Sequence, residues 1–173
     1  MKILIKVLIF SLSCTLFIGC DRVTKVIAKD NLVYGEPVSY LHDTFRLQYV
    51  ENTGAALSLG DNLPKAVSFW VLSMFPLAIL LGLLIYVVTH LSRMNRLLLM
   101  SYSLIIAGGL GNIIDRIFYD RHVSDFMNIG FHNLRTGIFN VADICVTFGV
   151  IGLIIGYNKN KSTENTLQTD TSS

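Results

Sequence analysis

Four long apolar blocks constrain this chain more than any other feature of it. A helix needs ~20 mostly apolar residues to cross the hydrocarbon core of a bilayer. Blocks that qualify run from about Ile3 to Cys20, from about Ala66 to Thr89, from about Leu97 to Ile114 and from about Ile138 to Gly156. The first has room to continue as helix to Ala28. Pro76 falls mid-block in the second, where a bundle tolerates it and a kink is expected, because neighbours re-satisfy the freed carbonyl. Composition agrees with a membrane protein: 52% of the 173 residues are hydrophobic and only 15% are charged, against roughly 25% charged in an average soluble domain. The net charge of +2 gives no electrostatic footprint for a nucleic acid.

Positive charges give an orientation. Lys2 and Lys6 stand at the start of the first block, Arg93 and Arg96 lie between the second and third, and Lys159 and Lys161 follow the fourth. By the positive-inside rule these segments are cytoplasmic, so both termini are inside and two loops face outward. In the first outer loop, Phe45, Leu47 and Tyr49 alternate with Arg46, Gln48 and Val50, which predicts a strand. The second, Arg116 to Gly137, predicts an interfacial helix or a turn-rich segment. Residues 1–158 form one membrane domain, and the Ser/Thr/Asn-rich residues 159–173 read as a disordered tail. Cys14, Cys20 and Cys145 lie in apolar blocks without metal-type spacing, so neither a disulfide nor a metal site is expected.

Ionisable groups are costly inside a span and point to function. Here they gather at span ends with helical spacing. Asp21, Thr24 and Lys25 share one face, with the acid placed to pair with the base. Asn112, Asp115 and Arg116 repeat that spacing at the end of the third block, after Gly108, Gly109 and Gly111, which permit close helix approach. Asn140 and Asp143 stand three apart at the start of the fourth block. Desolvation favours the protonated form of a carboxyl at such a depth, a property a general acid uses. Asp125 stands in the second outer loop, and spacing alone does not choose it over Asp115 or Asp120 as a partner for Asp143. Asn52-Thr53-Gly54 closes the strand-like segment as a turn.

In order, Asp21-Arg22-Val23-Thr24-Lys25, Asn52-Thr53-Gly54-Ala55-Ala56, Gly108 through Asn112 to Asp115-Arg116, Val123-Ser124-Asp125-Phe126 and Phe139-Asn140-Val141-Ala142-Asp143 resemble the motifs of lipoprotein signal peptidase. The resemblance covers about residues 4 to 157. It implies an all-α membrane protein with four transmembrane helices, a small extracytoplasmic β-sheet and a periplasmic loop or helix. It implies an aspartic endopeptidase in the bacterial inner membrane, with Asp125 and Asp143 catalytic at the periplasmic edge of the bilayer. Asn52, Gly54, Asn112, Arg116, Asn140, Asp21 and Lys25 would support the site or hold substrate. The substrates would be diacylglyceryl-modified prolipoproteins, met by a monomer among membrane phospholipids, without cofactor or metal. Two departures are visible: Leu in Ala56-Leu57-Ser58-Leu59 where many members carry Phe, and Cys145 where small or polar residues are common.

Three other readings are open. Phe17-Ile18-Gly19-Cys20 looks like a lipobox, which would make the chain a lipoprotein itself. A small transporter or proton conductor also uses buried acids, but would spread them through the depth of its spans. A non-catalytic membrane partner would show no proteolysis.

Overall fold

The computed structural model describes residues 2–54, 60 and 63–170. Helix α1 runs over Lys2–Asn31, β1 over Val38–Tyr40 and β2 over Phe45–Asn52. Next come α2 (Lys65–Phe69), a π turn (Trp70–Met74) and α3 (Phe75–His90), three pieces of one continuous helix. Helix α4 spans Arg96–Phe118, β3 Val123–Phe131, β4 Leu134–Arg135 and α5 Val141–Asp170. Among the described residues, three helices are long and apolar enough to cross a membrane: Ile3–Asn31, Lys65–His90 and Arg96–Phe118. The apolar part of α5, Val141–Tyr157, is shorter. The expected strand is β2.

The expected irregularity at Pro76 takes the form of the π turn. Pro76 has no N–H to give Leu72, and a widened turn just before it absorbs the mismatch. Helix α4 is the hub, packed against α1, α3 and α5. Its first turn is capped by Asn95, whose Oδ1 accepts from the Leu98 N–H at 2.8 Å. Close packing depends on the glycines. A Cβ at Gly108 would strike the Ala142 carbonyl and Val146 on α5, and one at Gly109 would lie 2.6 Å from Leu80 of α3. At the other end of the bundle, Lys6 donates to the carbonyls of Leu91, Ser92 and Met94 (3.1, 2.9 and 2.7 Å), tying α1 to the link between α3 and α4.

The strands form one antiparallel sheet in the order β1-β2-β3-β4. This corrects the expectation for the second outer segment: its centre is strand, not helix. Pairing with β2 satisfies its backbone, Phe45 opposite Ile129 and Asn52 opposite Val123. A register shift between Leu47 and Val50 re-phases the ladder and sets Val50 opposite Asp125. Ala28, Tyr49 and Phe126, with Leu32 and Val141 around them, bind the sheet to the end of α1 and the start of α5. The backbone is helical to Asp170, past the point where a disordered tail is expected. Helical hydrogen bonds are local, so an established helix extends into polar sequence.

Candidate active site

Asn140 occupies the position before α5 and begins the site. Its Oδ1 accepts from the Asp143 N–H at 3.1 Å, and the Asp143 carboxylate accepts the Asn140 N–H at 3.0 Å. This is a capping box closed by Asn and Asp. The same Asn140 then donates through Nδ2 to Asp125 Oδ1 at 2.6 Å and to Asn112 Oδ1 at 3.1 Å. One fully buried amide therefore holds Asp125 and Asp143 together. Strand β3 delivers Asp125 because Phe139 is bonded to it: the Phe139 carbonyl accepts from Phe126 and Met127, and its N–H donates to Met127.

Each carboxylate has a second amide. Asn52 Nδ2 donates to Asp125 Oδ2 at 3.1 Å, while its Oδ1 accepts from the Gly54 N–H. Asn112 Nδ2 donates to Asp143 Oδ1 at 2.8 Å. Arg116 Nη2 donates to the Gly54 carbonyl at 2.8 Å, pinning the Asn52 turn to α4. Asp125, only 3% exposed, is pushed up to about 6, by burial first and by the charge of Asp143 second. Asn52, Asn112, Arg116, Asp125 and Asp143 line a cavity of about 810 Å³, whose remaining wall is mostly apolar and includes Ile138, Ile144 and Phe148.

Behind Asn112 lies a buried ionic cluster. Lys25 Nζ reaches Asp21 Oδ2 (2.9 Å), Asp115 Oδ2 (2.8 Å) and Asn112 Oδ1 (3.0 Å). Asp21 Oδ1 accepts from the Ala142 N–H at 3.0 Å, so α1 also caps α5. Gly111 makes room, since a Cβ there would lie 2.7 Å from Asp21 Oδ2. All seven residues predicted to support the site, Asp21, Lys25, Asn52, Gly54, Asn112, Arg116 and Asn140, thus join one network around Asp125 and Asp143. The expected pairing of Asp21 with Lys25 is present. Thr24 points elsewhere, donating to the carbonyls of Cys20 and Asp21 on its own helix. Asp115, an alternative partner for Asp143, is instead ion-paired with Lys25 and Arg22, and Asp120 lies exposed beside Lys65. Ala55, Ala56, Leu57 and Leu59 lie outside the described residues.

The sequence model of the family described as signal peptidase (SPase) II matches residues 13–158. The chain belongs to this signal peptidase II family. Among curated relatives, a lipoprotein signal peptidase of Clostridium tetani is 41% identical over 78% of this chain and 83% of its own. Another, of Clostridium acetobutylicum, is 36% identical over 78% of this chain and 84% of its own. A solved bacterial membrane enzyme superposes with a TM-score of 0.75 at 28% identity, over 89% of this chain and 90% of the other. A second gives 0.71 at 29% identity, over 84% and 90%. The family match begins inside α1, which runs unbroken through Cys20 to Asn31. Asp21 and Lys25, just beyond the lipobox-like stretch, are committed to this chain's own site.

Proposed function

We propose that this protein is a membrane aspartic endopeptidase that removes signal peptides from diacylglyceryl-modified prolipoproteins, cutting before the lipidated cysteine, with Asp125 and Asp143 as its catalytic pair. Family membership supports the substrate class. The observation that carries the catalytic assignment is Asn140, which bonds both carboxylates at the wall of a mostly apolar cavity.

Two neighbouring carboxyls in a water-poor site share a proton rather than both ionising. The ionised member takes a proton from a water, whose oxygen attacks the scissile carbonyl. The protonated member gives its proton to the carbonyl oxygen. The tetrahedral intermediate collapses when the leaving nitrogen is protonated and the C–N bond breaks. One product ends in a new carboxyl, and the other begins with the lipidated cysteine. Asn52, Asn112 and Asn140 keep the carboxyl oxygens oriented through this exchange.

The membrane arrangement follows from the same reading. Helix α1, the α2–α3 helix, α4 and Val141–Tyr157 of α5 form four spans, with both termini cytoplasmic. On this reading Asp143, in the first turn of the short apolar run of α5, lies at the outer edge of the bilayer. Two acyl chains hold the substrate cysteine at that surface, where a monomer surrounded by phospholipid meets the bond before it.

The test is cleavage of a diacylglyceryl-modified prolipoprotein by the detergent-purified protein. Asp125→Asn, Asp143→Asn, an unlipidated substrate and a metal chelator are run alongside. Chelator-insensitive cleavage before the modified cysteine, absent in both variants, is expected. Cleavage that survives in either variant would reassign the pair, and none by folded wild type would remove the activity altogether.

A further inference from the structure

Arg22, met so far only as a partner of Asp115, completes the ionic cluster behind Asn112. Its Nη1 donates to Asp115 Oδ1, and its Nη2 to Asp21 Oδ2 (3.0 Å) and the Gly111 carbonyl (3.1 Å). Both Asp115 oxygens are therefore occupied, Oδ1 by Arg22 and Oδ2 by Lys25. Two acids and two bases leave the cluster neutral. Three of its side chains are at most 4% exposed, and Arg22 is 26% exposed. Without Arg22, one uncompensated negative charge would remain buried behind the carboxylate pair. Lys25 would also face two carboxylates alone, at the expense of its bond to Asn112 and so of the grip of Asn112 on Asp143.

We propose that Arg22 is a positioning residue that keeps this cluster neutral and thereby sets the pH range over which Asp125 and Asp143 share their proton. The proposal rests on the peptidase reading for its consequence in catalysis. Around the pair, α1 contributes Asp21, Arg22 and Lys25, and α4 contributes Asp115, Arg116 and the amide of Asn112. Strand β2 contributes the amide of Asn52, with Glu51 occupied by Tyr49 at 2.9 Å, and α5 contributes Asn140 and Asp143 itself. Arg116 donates to Gly54 and also feels the charges of Asp115, Asp125 and Asp143, but among the described residues the cations that ion-pair with Asp21 and Asp115 are Lys25 and Arg22.

Four full-length variants test this in detergent: Arg22→Gln, Arg22→Lys, Asp115→Asn and the double variant Arg22→Gln/Asp115→Asn. The protonation midpoint of Asp125 is followed by carboxyl ¹³C NMR, its signal assigned by loss in Asp125→Asn. The pH profile of cleavage is recorded in parallel. Arg22→Gln is expected to raise the midpoint by roughly half to one pH unit. Asp115→Asn lowers it, the double variant restores it, and Arg22→Lys keeps the wild-type value. The cleavage profile moves with the midpoint. An unmoved midpoint in Arg22→Gln, or an equal shift in Arg22→Lys, overturns the proposal, because Arg22 would then serve packing alone. Should Arg22→Gln not fold, adding it to Asp115→Asn asks the same question: a rise supports the proposal, and no rise overturns it. NMR needs no turnover, so an inactive wild type would defeat the peptidase reading and leave this test standing.

Discussion

Two acidic clusters face each other across Asn112, and on the proposed function their chemistry differs because their partners differ. On the α1 side, Asp21 and Asp115 each bond two cations, Lys25 and Arg22. On the α5 side, the hydrogen bonds that Asp125 and Asp143 receive from the described residues come from amides, those of Asn52, Asn112, Asn140 and the backbone. A cation neutralises a buried carboxylate and fixes it as structure. An amide orients a carboxylate without neutralising it, which leaves it able to exchange a proton. On the proposed function one pair is thus inert and the other reactive, and Asn112 joins them by accepting from Lys25 while donating to Asp143.

The strongest way to break this comparison is to remove one reactive carboxylate. Asp125→Asn and Asp143→Asn are each expected to lower the cleavage rate by about 10²–10⁴-fold, the usual range for a lost acid–base group. Asn140→Asp, in contrast, puts a third carboxyl between the two and tests whether a neutral amide is required there. It is expected to lose activity to a similar extent, measured by the same assay. On the inert side the larger effect is on folding. Lys25→Met strands Asp21 and Asp115 with Arg22 alone, and breaking a buried ion pair from one side costs about 3–5 kcal/mol. Thermal unfolding in detergent measures it. A Lys25→Met protein as stable as wild type would mean that the cluster is not held by its charges.

Much of the inert cluster was legible because its spacing is local. Asp21 with Lys25, Asn112 with Asp115, and Asn140 with Asp143 each stand one helical turn apart, and helix geometry alone puts them on shared faces. What joins these faces was not legible. The bond from Ala142 to Asp21 spans 121 residues and depends on how α1 packs against α5. Asp125 could not be chosen from spacing, because its place depends on strand register and on the bulge in β2. The strand carrying it was obscured for a related reason: Asp125 and Asn128 are buried within Val123–Phe131, so polar side chains interrupt the alternation that announces a strand. Motif resemblance supplied Asp125 where periodicity did not. Arg22 was given no role of its own from the sequence, since nothing local shows its side chain reaching α4.

The comparison also predicts a pH signature in stability for Asp125. Asp125 titrates near 3.8 when solvated and at about 6 in the fold. The folded state therefore holds its proton more tightly, and wild type loses stability as pH rises from about 4 to about 6, by about 3 kcal/mol. Asp125→Asn carries no such proton. Relative to wild type it gains that amount between pH 4 and pH 7, whatever constant offset its altered hydrogen bonds add. Unfolding measured at several pH values reads the slope directly, and parallel curves for the two proteins would show that Asp125 is not held against its charge.

A third acid gives the smallest effect and sharpens the contrast. Asp43 accepts from Arg46 at 2.5 and 2.6 Å and from Ser39, with Arg135 nearby. The hydrogen bonds from Arg46 and Ser39 hold its carboxyl well below the usual carboxylate range. On its face this pairing is as complete as that of Asp21. Yet the Asp43 side chain is 42% exposed, and water screens most of what such an ion pair contributes. Asp43→Asn is therefore expected to leave both cleavage and the unfolding temperature at wild-type values. A marked loss of cleavage, with stability unchanged, would mean that the joined tips of the sheet act on substrate. Pairing alone does not separate Asp21 from Asp43: burial makes the pairing of Asp21 structural, and exposure makes that of Asp43 dispensable.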